Sequence, residues 1–320
     1  MSTKRGLIAF ILLAVLVIAD IFSPLRVERV AVEFRPEPIL HLGRLTITNT
    51  LIGSWIAMAL LILLARLATR RMVDRPAAFS YQNVMETLVE ALLNIMRNFV
   101  GEHAWSFFPM VGTLFFYILF MNWLSIMPGF GSIGFWRAAP GGRVFVPLLR
   151  GGTTDLNTTI ALAMCSMLSV QVQGVRAVGL GEHILHYIAV DKFVLFARRL
   201  VREGRIEPGL LIRGTLDLFV GLLELFDELT KVVSFAFRLF GNVFGGEVLL
   251  AIMAFLLPFL VSLPFMAIEL VLGAIQAFVF AALTAAFMGR ALAEHPHREH
   301  DEIEAEDLPG GAMTQRVSPR

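Results

Sequence analysis

Arg238 is set in SFAFRLFGNVFGGEVLL, and no other Lys or Arg occurs from Val232 to Met288. An arginine at membrane depth costs roughly a few to more than ten kcal/mol, according to how far water and snorkelling relieve it. It keeps its proton in proteins, so it is a permanent cation. A chain that carries one at that depth carries it to act on another charge. Asp217, Glu224, Lys231 and Arg238 fall seven apart. Seven residues turn a helix by about 700°, only about 20° short of two full turns, so the four form one stripe. Asn242 continues that face, whereas Glu247 lies about half a turn away. Glu269 and Gln276, again seven apart, share a face of the following helix.

Carboxylates therefore stand on both sides of the arginine along the chain. Asp217, Glu224, Asp227 and Glu228 precede it, and Glu247 and Glu269 follow. Ionisable groups at membrane depth are functional candidates, and a row of carboxylates suggests a proton relay. A fixed cation interrupts such a relay, so another charge-bearing partner must carry protons past it. Three structural readings compete. Glu224, Asp227, Glu228 and Lys231 can form an interfacial turn of i to i+4 pairs. Glu247 or Glu269 can be neutral and hydrogen-bonded between helices. Arg238 can be ion-paired with either of them. The glycines of GNVFGGE suit close helix packing. They are not a phosphate loop, because no strand precedes them and no Lys-Ser/Thr follows.

The elements that must hold these residues are apolar. Of 320 residues, 57% are hydrophobic and 17% charged, and the mean hydropathy is +0.72. This is the composition of a polytopic membrane protein. The net charge of +1 gives no sign of a nucleic-acid partner. The single cysteine, Cys165, excludes an internal disulfide and a cysteine metal cluster, and reads as a buried spectator thiol. No cofactor is expected.

Residues 1–45 comprise an apolar run, Gly6 to Phe22, that reads as a retained anchor, and a polar external connection. Residues 46–290 form the membrane domain. Its spans begin with Ile47 to Leu64, followed by Arg66, Arg70, Arg71 and Arg75, which place that end in the cytoplasm. In residues 80–100, Val84, Leu88, Leu92, Ile95 and Phe99 recur at helical spacing, which suits a helix on the cytoplasmic membrane surface. Spans follow over Phe107 to Met127 and from Thr153 to before Arg176. The loop between them, with Arg137, Arg143 and Arg150, falls outside by alternation, against the positive-inside rule. A basic segment, 176–213, returns the chain to the cytoplasm.

Residues 215–290 form a hairpin. Its first arm, 215–257, would reach about 65 Å as a helix, twice the roughly 30 Å hydrocarbon core. It must be steeply tilted, bent or broken. Pro258 and Pro264 mark the turn, and a second helix covers Phe265 to Arg290. The tail, 291–320, reads as disordered, and its His295, His297 and His300 as solvated. The fold class is an all-α membrane protein with five to six membrane segments, one amphipathic surface helix and a long, steeply tilted C-terminal helical hairpin.

FRLFGNVFGGEVLL at 237–250 and IELVLGAIQAFVFAALT at 268–284 resemble subunit a of the F-type ATP synthase. TDLNTTIALAM at 154–164 and NWLSIMPGFGSIG at 122–134 match too, in that family's order, and the resemblance covers roughly residues 45–290. It implies a proton channel split into two halves against a rotating ring of c subunits. Further partners it implies are b-type peripheral stalk subunits and the whole ATP synthase complex, in a bacterial inner membrane. Arg238 would face the ring carboxylates, with Asn242 and Gln276 beside it. Glu247 and Glu269 would carry protons from the outer side, near Asp155 and Asn157, and Glu224 would serve the cytoplasmic exit. Asp217, Asp227, Glu228 and Lys231 are further exit-side candidates. Some relatives place a histidine at one of the two positions that are Glu247 and Glu269 here. The resemblance implies no nucleotide site on this chain. The rival classes are a stand-alone secondary transporter, which usually shows repeated halves, and a membrane scaffold with a structural charge cluster.

Overall fold

The computed structural model describes residues 36–181 and 208–293, apart from positions 44, 71, 74–76, 78–79, 128, 140–141 and 257–261. The apolar run 6–22, most of the basic segment 176–213 and the tail with its three histidines lie outside the described residues. A short hairpin, β1 (Pro38–Leu42) and β2 (Leu45–Thr48), leads into α1 (Asn49–Thr69). Then come α2 (Tyr81–Val100), α3 (Ala104–Ile126), a second hairpin of β3 (Gly134–Ala139) and β4 (Gly142–Pro147), and α4 (Leu156–Val178). The chain closes with α5 (Pro208–Leu256) and α6 (Ser262–Ala293).

Among the described residues, five helical stretches are long and apolar enough to cross a membrane, α2 and α3 counting as one. The protein is a mostly helical, multi-pass membrane protein. The two hairpins are the departure from helix. The second occupies the Gly- and Pro-rich stretch read as a loop, and the sequence where its strands join holds the Pro140–Gly141–Gly142 turn signal.

α5 is a single unbroken helix of 49 residues, about 73 Å long at 1.5 Å per residue. Of the three options for so long a helix, a break is therefore not taken. Pro208 opens it, where a missing N–H costs nothing. Pro264 likewise sits in the first turn of α6, in which no intrahelical partner is lost.

α6 runs through the middle of the molecule and touches α2, α3, α4 and α5. Small residues make this possible. Ala277, Ala281, Thr284 and Ala285 are buried at helical spacing, and Thr284 shares a hydroxyl hydrogen bond of 2.8 Å with Ser166 of α4. In lipid no hydrophobic force separates helix from surroundings, so close packing and interhelical hydrogen bonds do the joining. Phe235 of α5 meets Phe280 of α6 edge-on, with ring centroids 4.8 Å apart.

The face of α2 that packs inward is Leu92, Leu93, Met96 and Val100, while Val84 and Phe99 of the expected membrane-surface stripe are exposed. One expectation is corrected. Cys165 is exposed as well, because α4 turns Ala163, Ser166, Met167 and Val170 to the core instead. In both helices apolar residues occur on more than one side, and lipid accepts the face that protein does not.

Candidate functional site

The site is built where the hairpins meet the helices. Asn49 joins three segments: its side-chain amide donates to the Pro147 carbonyl (3.1 Å) and its Oδ1 accepts from the Glu37 N–H (3.1 Å). Arg137 of β3 reaches Glu37 (2.9 Å) and the Pro38 carbonyl (2.9 Å), which ties the two hairpins together. Asp155 caps α4 by accepting from the Asn157 N–H (2.9 Å), and also accepts from the Thr50 hydroxyl (3.0 Å). A cap of this kind stabilises a helix by about 1 kcal/mol. Asp155 is buried and Asn157 exposed.

This scaffold fixes the segment 150–154 against α1. A Cβ on Gly53 would overlap the Arg150 carbonyl, and one on Gly152 would overlap the Ser54 hydroxyl. Arg150 thereby lines a cavity of about 370 Å³, which Glu247 of α5 and Glu269 of α6 also line. Arg150 Nη2 donates to Glu247 Oε2 at 3.0 Å, with the arginine side chain only 10% exposed. Glu269 is 6% exposed. Its carboxylate rests on the backbone of α5 at Gly246, in the space any larger residue would fill. Asn122 Nδ2 and Trp123 Nε1 of α3 donate to the carbonyls of Gly273 (3.1 Å) and Leu270 (3.0 Å). These bonds hold the turn of α6 that follows Glu269.

Arg238 lies elsewhere on α5. It is exposed, and its guanidinium reaches the hydroxyl of Ser234 at 3.5 Å. Among the described residues no carboxylate lies within ion-pair reach of it, so pairing with Glu247 or Glu269 is not what holds it. Gly241 and Gly245 continue the same exposed face with open space above them. The contact of Phe235 with Phe280 and of Gly246 with Glu269 sets the antiparallel register of the hairpin. That register brings Arg238 and Gln276 to the same level. Gln276 is buried with its Nε2 unpartnered among the described residues, and Asn242 is half-buried.

Farther towards the start of α5, Lys231 pairs with Asp227 (2.9 Å) and Glu228 (2.6 Å), in keeping with the interfacial reading. Its ammonium also lies 5.1 Å from the ring centre of Phe287, whose ring Arg290 approaches to 4.9 Å. Asp217 and Glu224 are half-exposed on the same unbroken helix. The sevenfold stripe is therefore real in geometry, while its members have different surroundings.

The family model described as ATP synthase A chain matches residues 51–289. The chain is 32% identical over 261 residues to ATP synthase subunit a of Moorella thermoacetica, covering 82% of this chain and 98% of that one. It is 33% identical over 267 residues to ATP synthase subunit a of Gloeobacter violaceus, covering 83% and 92%. This chain belongs to the ATP synthase subunit a family. It is thus a component of the proton-translocating membrane sector of that complex. Every residue of the cavity and of the Arg238 face lies inside the matched stretch.

The residue that sequence reasoning passes over is Arg150. In the sequence it is only a loop cation in conflict with the positive-inside rule, and the structure pairs it with an acid 97 positions away. Arg137, a loop cation of the same kind, is paired with Glu37. The one available signal is that an arginine stands five residues before an acid in a matched motif.

Proposed function

We propose that this chain is the stator half of a rotary proton motor, with two offset half-channels that load and unload the carboxylates of a c-subunit ring. The observation that carries the reading is Arg238: a permanent cation on an apolar helix, exposed, and next to glycines that leave room for a neighbour. An exposed charge in that setting calls for an anionic partner from another chain.

The cavity of Glu247 and Glu269 serves as the outer half-channel, with Asp155 and Asn157 near its entrance. Glu224, with Asp217, serves the cytoplasmic side, and Asp227, Glu228 and Lys231 form a paired cluster beside it. A ring carboxylate facing lipid stays protonated, because desolvation disfavours its charged form. Facing Arg238 it is favoured as an anion and releases its proton to the cytoplasmic half-channel. It regains one from the outer cavity before returning to lipid. Arg238 blocks a direct leak, and Gln276 and Asn242 flank it. Each charge moved through the full potential is worth about 2.3 kcal/mol per 100 mV, so rotation must accumulate several to make one ATP. The chain holds no nucleotide in this scheme; b-type stalk subunits keep it from turning with the ring, in a bacterial inner membrane.

The test is ATP-driven proton pumping in inverted vesicles carrying the whole complex, comparing wild type with Arg238→Gln at matched complex levels. Pumping is expected to vanish with assembly intact, and Arg238→Lys to fall short of full rescue, because a compact ammonium does not reproduce the planar fork. Pumping at the wild-type rate in Arg238→Gln would sink the mechanism.

A further inference from the structure

The two acids of the outer cavity are not equivalent. The charged residues lining it are Arg150, Glu247 and Glu269; α3 and the turn after it contribute uncharged ones, such as Asn122 and Ser125. Glu247 is taken up by a guanidinium at 3.0 Å. Glu269 is buried, and among the described residues it has neither an ion-pair nor a hydrogen-bond partner. The arginine is presented to its acid from a locked backbone, with its side chain only 10% exposed. Its carbonyl sits against Gly53, and the next turn is closed by Thr154 N–H to Gly151 (3.2 Å) and Asp155 N–H to Gly152 (3.1 Å).

A proton placed on Glu247 would cancel the pair and leave a nearly buried guanidinium facing a neutral acid, an unfavourable state. A proton placed on Glu269 breaks no such pair. The second acid also sits on Gly246, one residue from Glu247, so it takes its proton within the field of a carboxylate already matched by a cation.

We infer that Arg150 is a positioning residue that divides the work of the two acids. It keeps Glu247 as a standing carboxylate and leaves Glu269 as the group that takes up and passes on the proton. This rests on the half-channel reading above. The proton comes from water entering the cavity, resides on a Glu269 oxygen and leaves to a ring carboxylate, which becomes neutral as Glu269 returns to its anion. Glu247 exchanges nothing; its charge, balanced by Arg150, orients the water in the cavity.

The experiment is proton pumping by the whole complex in inverted vesicles at matched levels, with the pH on the cavity side varied. Arg150→Gln is expected to pump slowly and with a displaced pH profile, and Arg150→Lys to restore both. A role in folding alone would lower the rate and leave the profile in place. The deciding variant is Arg150→Gln with Glu247→Gln. It removes both charges at once, and is expected to pump several-fold faster than Glu247→Gln alone. If the double variant is no faster than Glu247→Gln, Glu247 itself relays protons and the inference is overturned. Arg238→Gln, run in parallel, separates the two levels: if it pumps normally, the half-channel reading has failed, whatever Arg150 does.

Discussion

The two ends of α5 present their charges in different settings. Around the cavity, the acids come from two helices and the cation from a segment locked to α1 by Gly53 and Thr50. From Asp217 to Lys231, all the charges sit on one helix, and the apolar residues between them, including Phe219, Leu223 and Phe226, are exposed. One end is a site completed by the chain's own tertiary structure. The other is a helix face with local pairs, which the chain leaves open. A charged group in the first setting has its geometry fixed before any partner arrives; in the second it acquires geometry only on assembly.

This contrast is broken most directly by comparing Glu269→Gln with Glu224→Gln in the same pumping assay. Loss of a positioned proton-transfer group typically costs a hundredfold or more, so Glu269→Gln should lower pumping by roughly a hundredfold. Glu224 has neighbouring acids, Asp227 and Glu228, on its own helix, and its loss should cost distinctly less. Equal losses would mean that the open end depends on a single relay group just as the closed one does.

A smaller effect is expected from Gly246→Ala. The added methyl would occupy the space of the Glu269 carboxylate, which must then swing away while keeping its chemistry. Misplacing a reacting group by about an ångström is enough to slow transfer roughly tenfold or more. Assembly should survive, because the neighbouring helix yields only one flexible side chain. Unchanged pumping in this variant would show that the position of Glu269 on α5 is incidental.

What can be read from the sequence follows the same division. The stripe of Asp217, Glu224, Lys231 and Arg238 is legible because helix periodicity alone fixes it, and α5 is unbroken. The hairpin of α5 and α6 is legible from length and proline. The partner of Glu247 is not, since a contact across 97 positions leaves no local pattern. The strand hairpins escape notice because short strands between prolines and glycines look like loop. The exposure of Cys165 is misread for a physical reason: lipid is as apolar as a protein core, so an apolar run does not say which of the two a side chain meets.

The smallest expected effect lies at the open end and tests the contrast from below. Lys231 is matched twice, by Asp227 at 2.9 Å and by Glu228 at 2.6 Å, and its ammonium also faces Phe287. The Asp227 side chain is 59% exposed, so the pair is not enclosed by the chain itself. Exposed pairs at this spacing contribute only about 0.3–0.5 kcal/mol, and Glu228 remains to hold the lysine. Asp227→Asn should therefore leave the thermal stability of the purified complex within measurement error and barely change pumping. A large loss of pumping at unchanged stability would place Asp227 in the exit path. The open end would then be a built site like the cavity, and the division between the two ends of α5 would fall.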